Sequence, residues 1–199
     1  MKKTFLLFIA ALLPLLSTAQ CRFALKGGLN VADADAFGTD DIFEPGSYTG
    51  FYVGPMLDLG DASLWGLNVG CLYSHSGMRL SRTADVVSLD AIQFPLFVSH
   101  KLLWWENFSL LVEVGPQFSY NLGEKRREID HGTLNFAGSS LSLNAGLSVE
   151  FFRRVRLGLN YNNPIGPTAR YTWTDTPGIL LDAVKCKVRT MQFSATVLF

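Results

Sequence analysis

The final nine residues constrain the fold more than any other segment. Along residues 191–199, apolar side chains alternate with small polar ones. One face carries Met191, Phe193, Ala195, Val197 and Phe199, and the other carries Gln192, Ser194 and Thr196, with Leu198 as the exception. A period of two predicts a β-strand. An apolar face backed by a small polar face is typical of a wall between lipid and a narrow wet interior.

The other end of the chain predicts export. Two lysines follow the first methionine, residues 5–16 are apolar apart from one proline, and residues 17–19 are small. This order of a basic start, an apolar stretch and small residues predicts a secretory signal peptide. The apolar stretch is shorter than the roughly 20 residues that a spanning helix needs. We therefore assign residues 1–19 to a signal peptide and residues 20–199 to one mature barrel domain.

The three cysteines define neither a disulfide framework nor a metal site. Cys21, Cys71 and Cys186 are odd in number and far apart in the chain, so we interpret them as unpaired small side chains. Cys21 leaves a lipoprotein interpretation open, because a lipid-modified cysteine directly follows a signal peptide. Gln20 argues against it, since that signal requires a small residue at this position.

The composition disfavours nucleic-acid binding and favours a membrane β-barrel. Seventeen basic residues balance seventeen acidic ones, and loss of two lysines with the signal peptide leaves a net charge near −2. No basic surplus is therefore present to bind nucleic acid. Only 17% of the residues are charged, yet no mature segment approaches 18 consecutive apolar residues. A closed β-barrel is the other structure that satisfies its own backbone in lipid.

Eight segments show the alternation expected of a barrel wall. They are Arg22–Asn30, Tyr48–Leu59, Ser63–Ser74, Ser88–Leu103, Phe108–Leu122, Ser140–Phe151, Val155–Asn162 and Lys185–Phe199. The connections alternate between long and short. The long ones are 31–47, 75–87, 123–139 and 163–184, and the short ones are 60–62, 104–107 and 152–154. Outer-membrane barrels combine short periplasmic turns with longer external loops. The sequence therefore predicts an all-β fold, an eight-stranded antiparallel up-and-down transmembrane β-barrel in the bacterial outer membrane.

Aromatic residues mark both rims of this predicted barrel. Near the short turns lie Trp65, Trp104, Trp105, Phe108, Phe151 and Phe199, and near the long loops lie Tyr48, Tyr73, Tyr120, Tyr161 and Tyr171. Two such belts are expected where strands cross the membrane interfaces. The structural alternative is a soluble lipocalin-type barrel with its apolar side chains inside. The polar face is mostly Gly, Ser, Asn and Gln, which is too small and uncharged for a solvated exterior, so we favour the membrane barrel.

Five charged residues are expected to point into the lumen. They are Lys26, Asp58, Glu113, Glu150 and Arg156. If residues 152–154 form the turn, Glu150 and Arg156 lie opposite each other across the hairpin. A buried carboxylate and guanidinium would then plug the lumen and fix the strand register. A proton or ion pathway through these charges is the alternative.

Short motifs give a resemblance to a known family. They are Ala19-Gln20 at the end of the signal peptide, the opening ALKGGLN at 24–30, the core Ile92–Pro95 within Leu89–Leu103, and the terminal Phe199. Together with the strand pattern, they resemble the PorT-like outer-membrane β-barrel family of Bacteroidetes-type bacteria. The resemblance implies an outer-membrane location and an eight-stranded meander barrel. The founding member is tied to a protein-secretion system, but a shared fold does not transfer that function.

The last strand is also a candidate assembly signal. Phe193, Val197 and Phe199 form its apolar face, and we expect the barrel-assembly machinery to be a partner, beside outer-membrane lipids. Deletion of Phe199 is therefore expected to impair insertion and to leave misassembled protein in the periplasm. Normal insertion of that variant would weaken this prediction.

Two loops carry charges that suggest ligands. The segment 33–44 contains five acidic residues and no basic one, and calcium prefers oxygen-rich loops. Its spacing matches no calcium loop, so a solvated acidic loop is the favoured interpretation. The segment 124–128 is mixed in sign, and its Lys125, Arg126 and Arg127 are candidates to contact lipopolysaccharide phosphates. A solvated loop is again the simpler interpretation.

Three functional hypotheses follow. The favoured one is a structural or interaction role through the long loops, with no enzyme activity, cofactor or metal. The second is an outer-membrane lipid-acting hydrolase that uses His75, between Ser74 and Ser76, or His131, next to Asp130. No nucleophile motif frames these residues or His100. The third is an accessory component of a protein-secretion or envelope-assembly complex, with envelope or secretion proteins as partners.

Overall fold

A computed structural model describes seven stretches of the chain: 21–37, 48–60, 64–79, 86–123, 126–129, 132–173 and 184–199. The predicted signal peptide lies outside these residues. Their strands are β1 Cys21–Phe37, β2 Tyr48–Leu59, β3 Trp65–Gly70, β4 Leu72–Arg79, β5 Val86–Trp104, β6 Phe108–Asn121, β7 Arg126–Ile129, β8 Gly132–Phe136, β9 Ser139–Phe151, β10 Val155–Pro164, β11 Ala169–Trp173 and β12 Val184–Leu198.

The wall is a closed antiparallel meander. Its order is β1, β2, the pair β3 and β4, then β5, β6, β9, β10 and β12, and β12 pairs back with β1. Strands β3 and β4 act as one wall strand that is interrupted at Cys71. The closing seam runs over fourteen residue pairs, from Ala24↔Leu198 to Phe37↔Lys185. The predicted fold, an eight-stranded antiparallel β-barrel, is therefore confirmed.

Side chains alternate across this wall as a period of two requires. On β12, Phe193 and Val197 are exposed on the outer surface, whereas Gln192 and Thr196 are buried inside. Leu198 breaks the alternation of polarity but not of direction. It points inward and packs with Ala24, Met56 and other apolar side chains. The outer surface is thus a continuous apolar band, which is the surface that lipid requires.

The strands extend beyond the predicted wall at the long-loop end. Strand β1 continues to Phe37 by pairing with β12, and β7, β8 and β11 lie within connections that were predicted as loops. Strand β11 pairs with both β12 and β8, and β8 pairs with β7. The upper parts of β1 and β12, together with β11, β8 and β7, form a sheet that we call the external sheet. The prediction that the connections 123–139 and 163–184 contain no strands is therefore wrong.

A tight turn closes the β9–β10 hairpin at the short-turn end. Phe152 and Arg153 both adopt positive φ angles, of 50° and 57°. Such a pair of left-handed residues matches a type I′ turn, which normally carries Asn-Gly. Because the Cβ atom of an L-residue comes close to the following carbonyl oxygen in this region, Phe152 and Arg153 are strained there. The turn sets Glu150 opposite Arg156 in the strand register.

One glycine makes room for the largest side chain in the lumen. Gly28 lies opposite Tyr52 in the β1–β2 register, and a Cβ on Gly28 would meet both the Tyr52 ring and the backbone oxygen of Phe193. Without that Cβ, the Tyr52 hydroxyl reaches Phe193 and donates a hydrogen bond to its carbonyl at 3.3 Å. Tyr52 is therefore held across the interior, with 1% of its surface exposed.

In the described part of the chain, no helix is long and apolar enough to span a membrane.

Candidate functional site

Arg156 is the centre of a charged cluster in the short-turn half of the lumen. Strand β10 carries it inward, and three carboxylates from three other strands surround it. Its Nη2 atom lies 2.6 Å from Asp58 Oδ2 and 2.6 Å from Glu150 Oε2, and its Nη1 atom lies 3.3 Å from Glu113 Oε1. The guanidinium also donates to Asn68 at 3.4 Å. One fork-shaped cation therefore links β2, β3, β6, β9 and β10.

Arg22 completes this cluster, although the sequence analysis omitted it. Its Nη2 atom lies 3.0 Å from Asp58 Oδ2 and 3.3 Å from Glu150 Oε2. Its Nη1 atom donates to the carbonyl of Arg153 in the turn at 3.1 Å. The signal was present, because Phe23 alternates with Leu25 and Leu29 on the apolar face of the first predicted strand, and the residue before Phe23 must then point inward. With Arg22, three cations face three carboxylates, whereas the five predicted charges had one carboxylate in excess.

Lys26 and Glu113 lie at the upper side of the cluster. The Lys26 ammonium lies 5.4 Å from the centroid of the Phe97 ring, within the range of a cation–π contact. Glu113 accepts a hydrogen bond from Ser148 at 3.2 Å as well as from Arg156. Both charged side chains are about 95% buried. Burial of an isolated charge is costly, so the charges in this half of the lumen depend on one another.

Little free space is left around these charges. The cavity beside Arg156 has a volume of only about 10 Å³, close to that needed for one water molecule. A substrate has no room to approach the carboxylates in this arrangement. Within the described residues, no group of three His, Cys, Asp or Glu side chains is arranged to hold a metal ion. The geometry is that of a packed ion-pair network.

The long-loop half of the lumen is polar but uncharged. Asn30 donates to Ser74 at 2.9 Å and accepts from Gln192 at 3.0 Å. Asn144 donates to Gln117 Oε1 at 2.8 Å. Above these bonds lies a cavity of about 100 Å³, and none of the seventeen described residues that line it is charged. We call it the upper cavity.

The candidate catalytic histidine lies outside the barrel wall, away from its neighbouring serines. Ser74 is buried inside and bonded to Asn30, and Ser76 lines the upper cavity. His75 faces outward, and its Nδ1 donates to Asp90 Oδ1 at 2.7 Å. Neither serine can therefore meet the imidazole, because successive residues of a strand point to opposite faces. The Tyr48 hydroxyl lies 3.4 Å from the Nε2 atom of His75.

Tyr73, Ile92 and Tyr120 lie side by side on three neighbouring strands. Asp90 lies two residues before Ile92 on β5, which places it closer to the long loops than this row. The hydrogen bond from His75 is the main cause that lowers the pKa of Asp90 below its ordinary value. Tyr73 adds a second hydrogen bond, from its hydroxyl to Asp90 Oδ1, at 2.9 Å. The side chains of His75 and Asp90 are 30% and 37% exposed. This is a base held by a carboxylate on the outer face of the wall, near its long-loop end.

The other candidate residues are distributed as follows. His131 and most of the acidic segment 33–44 lie outside the described residues or have undescribed side chains, and so do Lys125 and the side chain of Arg127. Arg126 is exposed and pairs with Glu128 at 3.6 Å. His100 packs against Trp65 with ring centroids 4.2 Å apart. The three cysteines are free thiols, and burial raises the pKa of Cys186.

Solved structures that superimpose on this chain include outer membrane proteins. The outer membrane protein OprG of Pseudomonas aeruginosa superimposes with a TM-score of 0.55 at 10% identity, over 91% of this chain and 97% of OprG. The outer membrane protein AlkL, solved in lipid bilayers, gives a TM-score of 0.54 at 12% identity, over 90% of each chain. Ail of Yersinia pestis gives 0.50 at 13% identity, over 90% of this chain and 99% of Ail. At such identities the likeness establishes the fold alone.

No protein of curated function matches the sequence. Residues 18–173 match the family model described as an outer membrane protein beta-barrel domain. That range covers most of the chain and seven of its eight predicted wall strands in full, together with the residues of the charged cluster. The chain therefore belongs to the outer membrane protein β-barrel domain family, and its location is the bacterial outer membrane.

Proposed function

We propose that this outer-membrane barrel is closed to solutes and acts as an interaction module through its external sheet. The observation that carries the proposal is the contrast between a lumen filled by the Arg156 cluster and strands that rise beyond the wall. A pore needs free space along its axis, and an eight-stranded barrel has just enough room for its own side chains. The external sheet, rather than the lumen, is therefore the part of the barrel that can contact other molecules.

The external sheet supports this role because it has a core of its own. Leu134 and Phe136 of β8, Ala169 of β11 and Cys186 of β12 are all buried. In contrast, Arg126 and Glu128 of β7 are largely exposed. Strand β7 pairs with β8 on one side and is the end of the sheet order. An ordered sheet with a charged edge strand can present a defined surface to a partner.

Site-specific photocrosslinking tests the proposal. A photoreactive residue at Glu128 would report on the external sheet, and the same residue at Arg154 would serve as the matched control at the periplasmic turn. We expect a discrete protein adduct from Glu128 in intact cells. Adducts to lipid alone from Glu128 would contradict an interaction role and leave a structural role. Liposome swelling with small sugars should show no uptake, and rapid uptake would contradict the plugged lumen.

The finer family assignment remains a prediction. The PorT-like resemblance would make the partner a protein of a secretion or envelope-assembly complex. Crosslinking followed by purification is expected to recover such a protein, and a clean recovery of this barrel alone would count against the accessory hypothesis. Assembly by the barrel-assembly machinery through Phe193, Val197 and Phe199 also remains a proposal. It is supported by the exposed apolar face that these three residues share.

The direction of the side chains disfavours a lipid hydrolase that uses His75 with Ser74 or Ser76, whereas the alternative base, His131, lies outside the described residues. The outward pair of His75 and Asp90 has the geometry of a base and its orienting carboxylate, but Ser74 and Ser76 lie on the inner face. We expect purified barrel in vesicles to release no acyl chains from lipid. Turnover that is lost in a folded His75→Ala variant would establish the enzyme instead.

A further inference from the structure

We infer that the upper cavity is a binding site for a small neutral polyhydroxy compound, such as a polyol or a monosaccharide. The inference goes beyond the proposed interaction role, because it concerns a cavity inside the barrel, to which the external sheet contributes Phe136 and Val188, rather than the outer surface of that sheet. The cavity lies on the long-loop side of the charged cluster and has a volume of about 100 Å³. The cluster fills the lumen below it. The site therefore has the form of a cup, closed on its periplasmic side.

Unused hydrogen-bonding atoms indicate that the cup is built to hold a polar molecule. Gln117 lines it and is 1% exposed, and its Oε1 atom is held by Asn144. This bond leaves the Nε2 donor of Gln117 with no partner among the described residues, and the Oε1 acceptor of Gln93, another lining residue, has none there either. Unsatisfied buried polar atoms are costly. Both atoms are buried, so a ligand that carries hydroxyl groups can satisfy this donor and this acceptor once the two amides turn towards the cavity.

The remaining lining residues define the class of ligand. Hydroxyl groups come from Ser119, Ser140 and Thr190, and apolar surface comes from Phe136 and Val188. A hydroxyl group donates and accepts, so it matches both amides and hydroxyls, whereas the C–H groups of a polyol pack on apolar side chains. A charged ligand would lose its hydration without gaining a counter-ion from the described part of the lining, which carries no charged residue. A purely apolar ligand would leave the amides unsatisfied.

NMR of the side-chain amides tests the inference directly. The protein is folded in lipid nanodiscs, with the NH₂ resonances of Gln93 and Gln117 assigned. The probes are glycerol, erythritol, glucose and galactose, with glucuronate as the charged comparison and cyclohexanol as the apolar one. We expect saturable shifts of the Gln117 resonance with at least one neutral polyol or sugar, at a dissociation constant in the millimolar range, because a small ligand makes few contacts.

Two variants separate binding in the cup from a general effect on the barrel. Gln117→Met removes the free donor and is expected to weaken binding about tenfold, the equivalent of one lost hydrogen bond. Tyr52→Phe is the matched control, because it removes a lumen hydroxyl that does not line the cavity, and it should bind as the wild type does. Both variants must keep the heat-modifiable band of a closed barrel. Should Gln117→Met fail to fold, Ser119→Asp serves instead, and it is expected to abolish binding of neutral sugars by placing a charge in the cup.

Three results would overturn the inference. The first is the absence of saturable shifts with all four neutral probes. The second is equal affinity of the wild type and the folded cavity variant. The third is preferential binding of glucuronate or cyclohexanol. None of these results bears on photocrosslinking at Glu128, so failure of the cup and failure of the external interaction are distinguishable.

Discussion

The two halves of the lumen are enclosed by the same strands but are filled in opposite ways. The short-turn half holds three cations and three carboxylates around a space of about 10 Å³. The long-loop half holds amides and hydroxyls around a space of about 100 Å³. The alternation of the wall is identical in both halves. The difference shows that a barrel sets only which side chains point inward, and that their charge and volume decide between a plug and a cavity.

The largest expected effect comes from Arg156. Arg156→Met keeps much of the side-chain volume but leaves three carboxylates around a site without its main cation. We expect a loss of about 3–5 kcal/mol of unfolding free energy, since removal of one partner leaves uncompensated buried charge. Urea unfolding in lipid vesicles measures it. The double variant Arg156→Met with Glu150→Gln removes one charge of each sign and should recover part of the loss. Wild-type stability of the single variant would show that the plug contributes little.

A smaller loss is expected in the uncharged half. Asn30→Ala removes the group that joins Ser74 to Gln192. Two buried polar partners lose one bond each, at a cost of about 1–3 kcal/mol. The same urea titration measures this change. A loss as large as that of Arg156→Met would contradict the distinction between an ionic plug and a polar upper lumen.

A gain in stability is expected at the turn beneath the plug. The double change Phe152→Asn and Arg153→Gly places favoured residues at two left-handed positions and should stabilise the barrel by about 1 kcal/mol. The carbonyl that accepts from Arg22 is part of the backbone and is retained. Unfolding in urea and the temperature of the heat-modifiable transition both report the change. A destabilised variant would mean that the side chains of the turn make contacts that outweigh the strain.

The smallest effect is expected on the outer surface. Because Asp90 and His75 are partly exposed, His75→Ala should cost at most about 1 kcal/mol. The pKa of Asp90 is lowered in the folded state, so its contribution is present above the pKa of the unfolded carboxyl. That contribution is lost as the pH falls through the folded pKa. Urea titrations at neutral and at acid pH should therefore differ less for His75→Ala than for the wild type. If the stability of His75→Ala depended on pH as strongly as that of the wild type, the lowered pKa of Asp90 would not be caused by His75.

The apolar alternation was enough to predict the wall and its closure. The apolar alternation did not predict the strand extensions at the long-loop end, where the outer face no longer contacts lipid. Strand β1 continues to Phe37 and β7 begins at Arg126, and these extensions depend on backbone pairing rather than on side-chain polarity. Hydrophobic periodicity therefore reports the membrane-spanning part of a strand, whereas the length of the strand depends on its neighbours.

The candidate site was predictable in part for a related reason. Glu150 and Arg156 follow from the alternation and the turn, and Arg22 follows from the same rule applied one residue before Phe23. The convergence of Asp58 and Glu113 on one guanidinium does not follow, because it depends on how the eight strands are staggered around the barrel. The unpartnered amide atoms, Gln93 Oε1 and Gln117 Nε2, could not be predicted from the sequence either. Whether a side-chain atom finds a hydrogen-bond partner depends on its three-dimensional neighbours.

The seam between β1 and β12 has a consequence for the order of folding. It joins Ala24 to Leu198, so nearly the whole domain forms a single loop between the two partners. Hairpins such as β9–β10 can form locally at a small entropic cost, but the seam must close after the intervening strands are in place. Until then β1 and β12 both present unpaired edges, which are templates for aggregation. Closure of the seam is therefore expected to be the slow step of folding. The open sheet that precedes closure is the species that a cell would have to protect from aggregation.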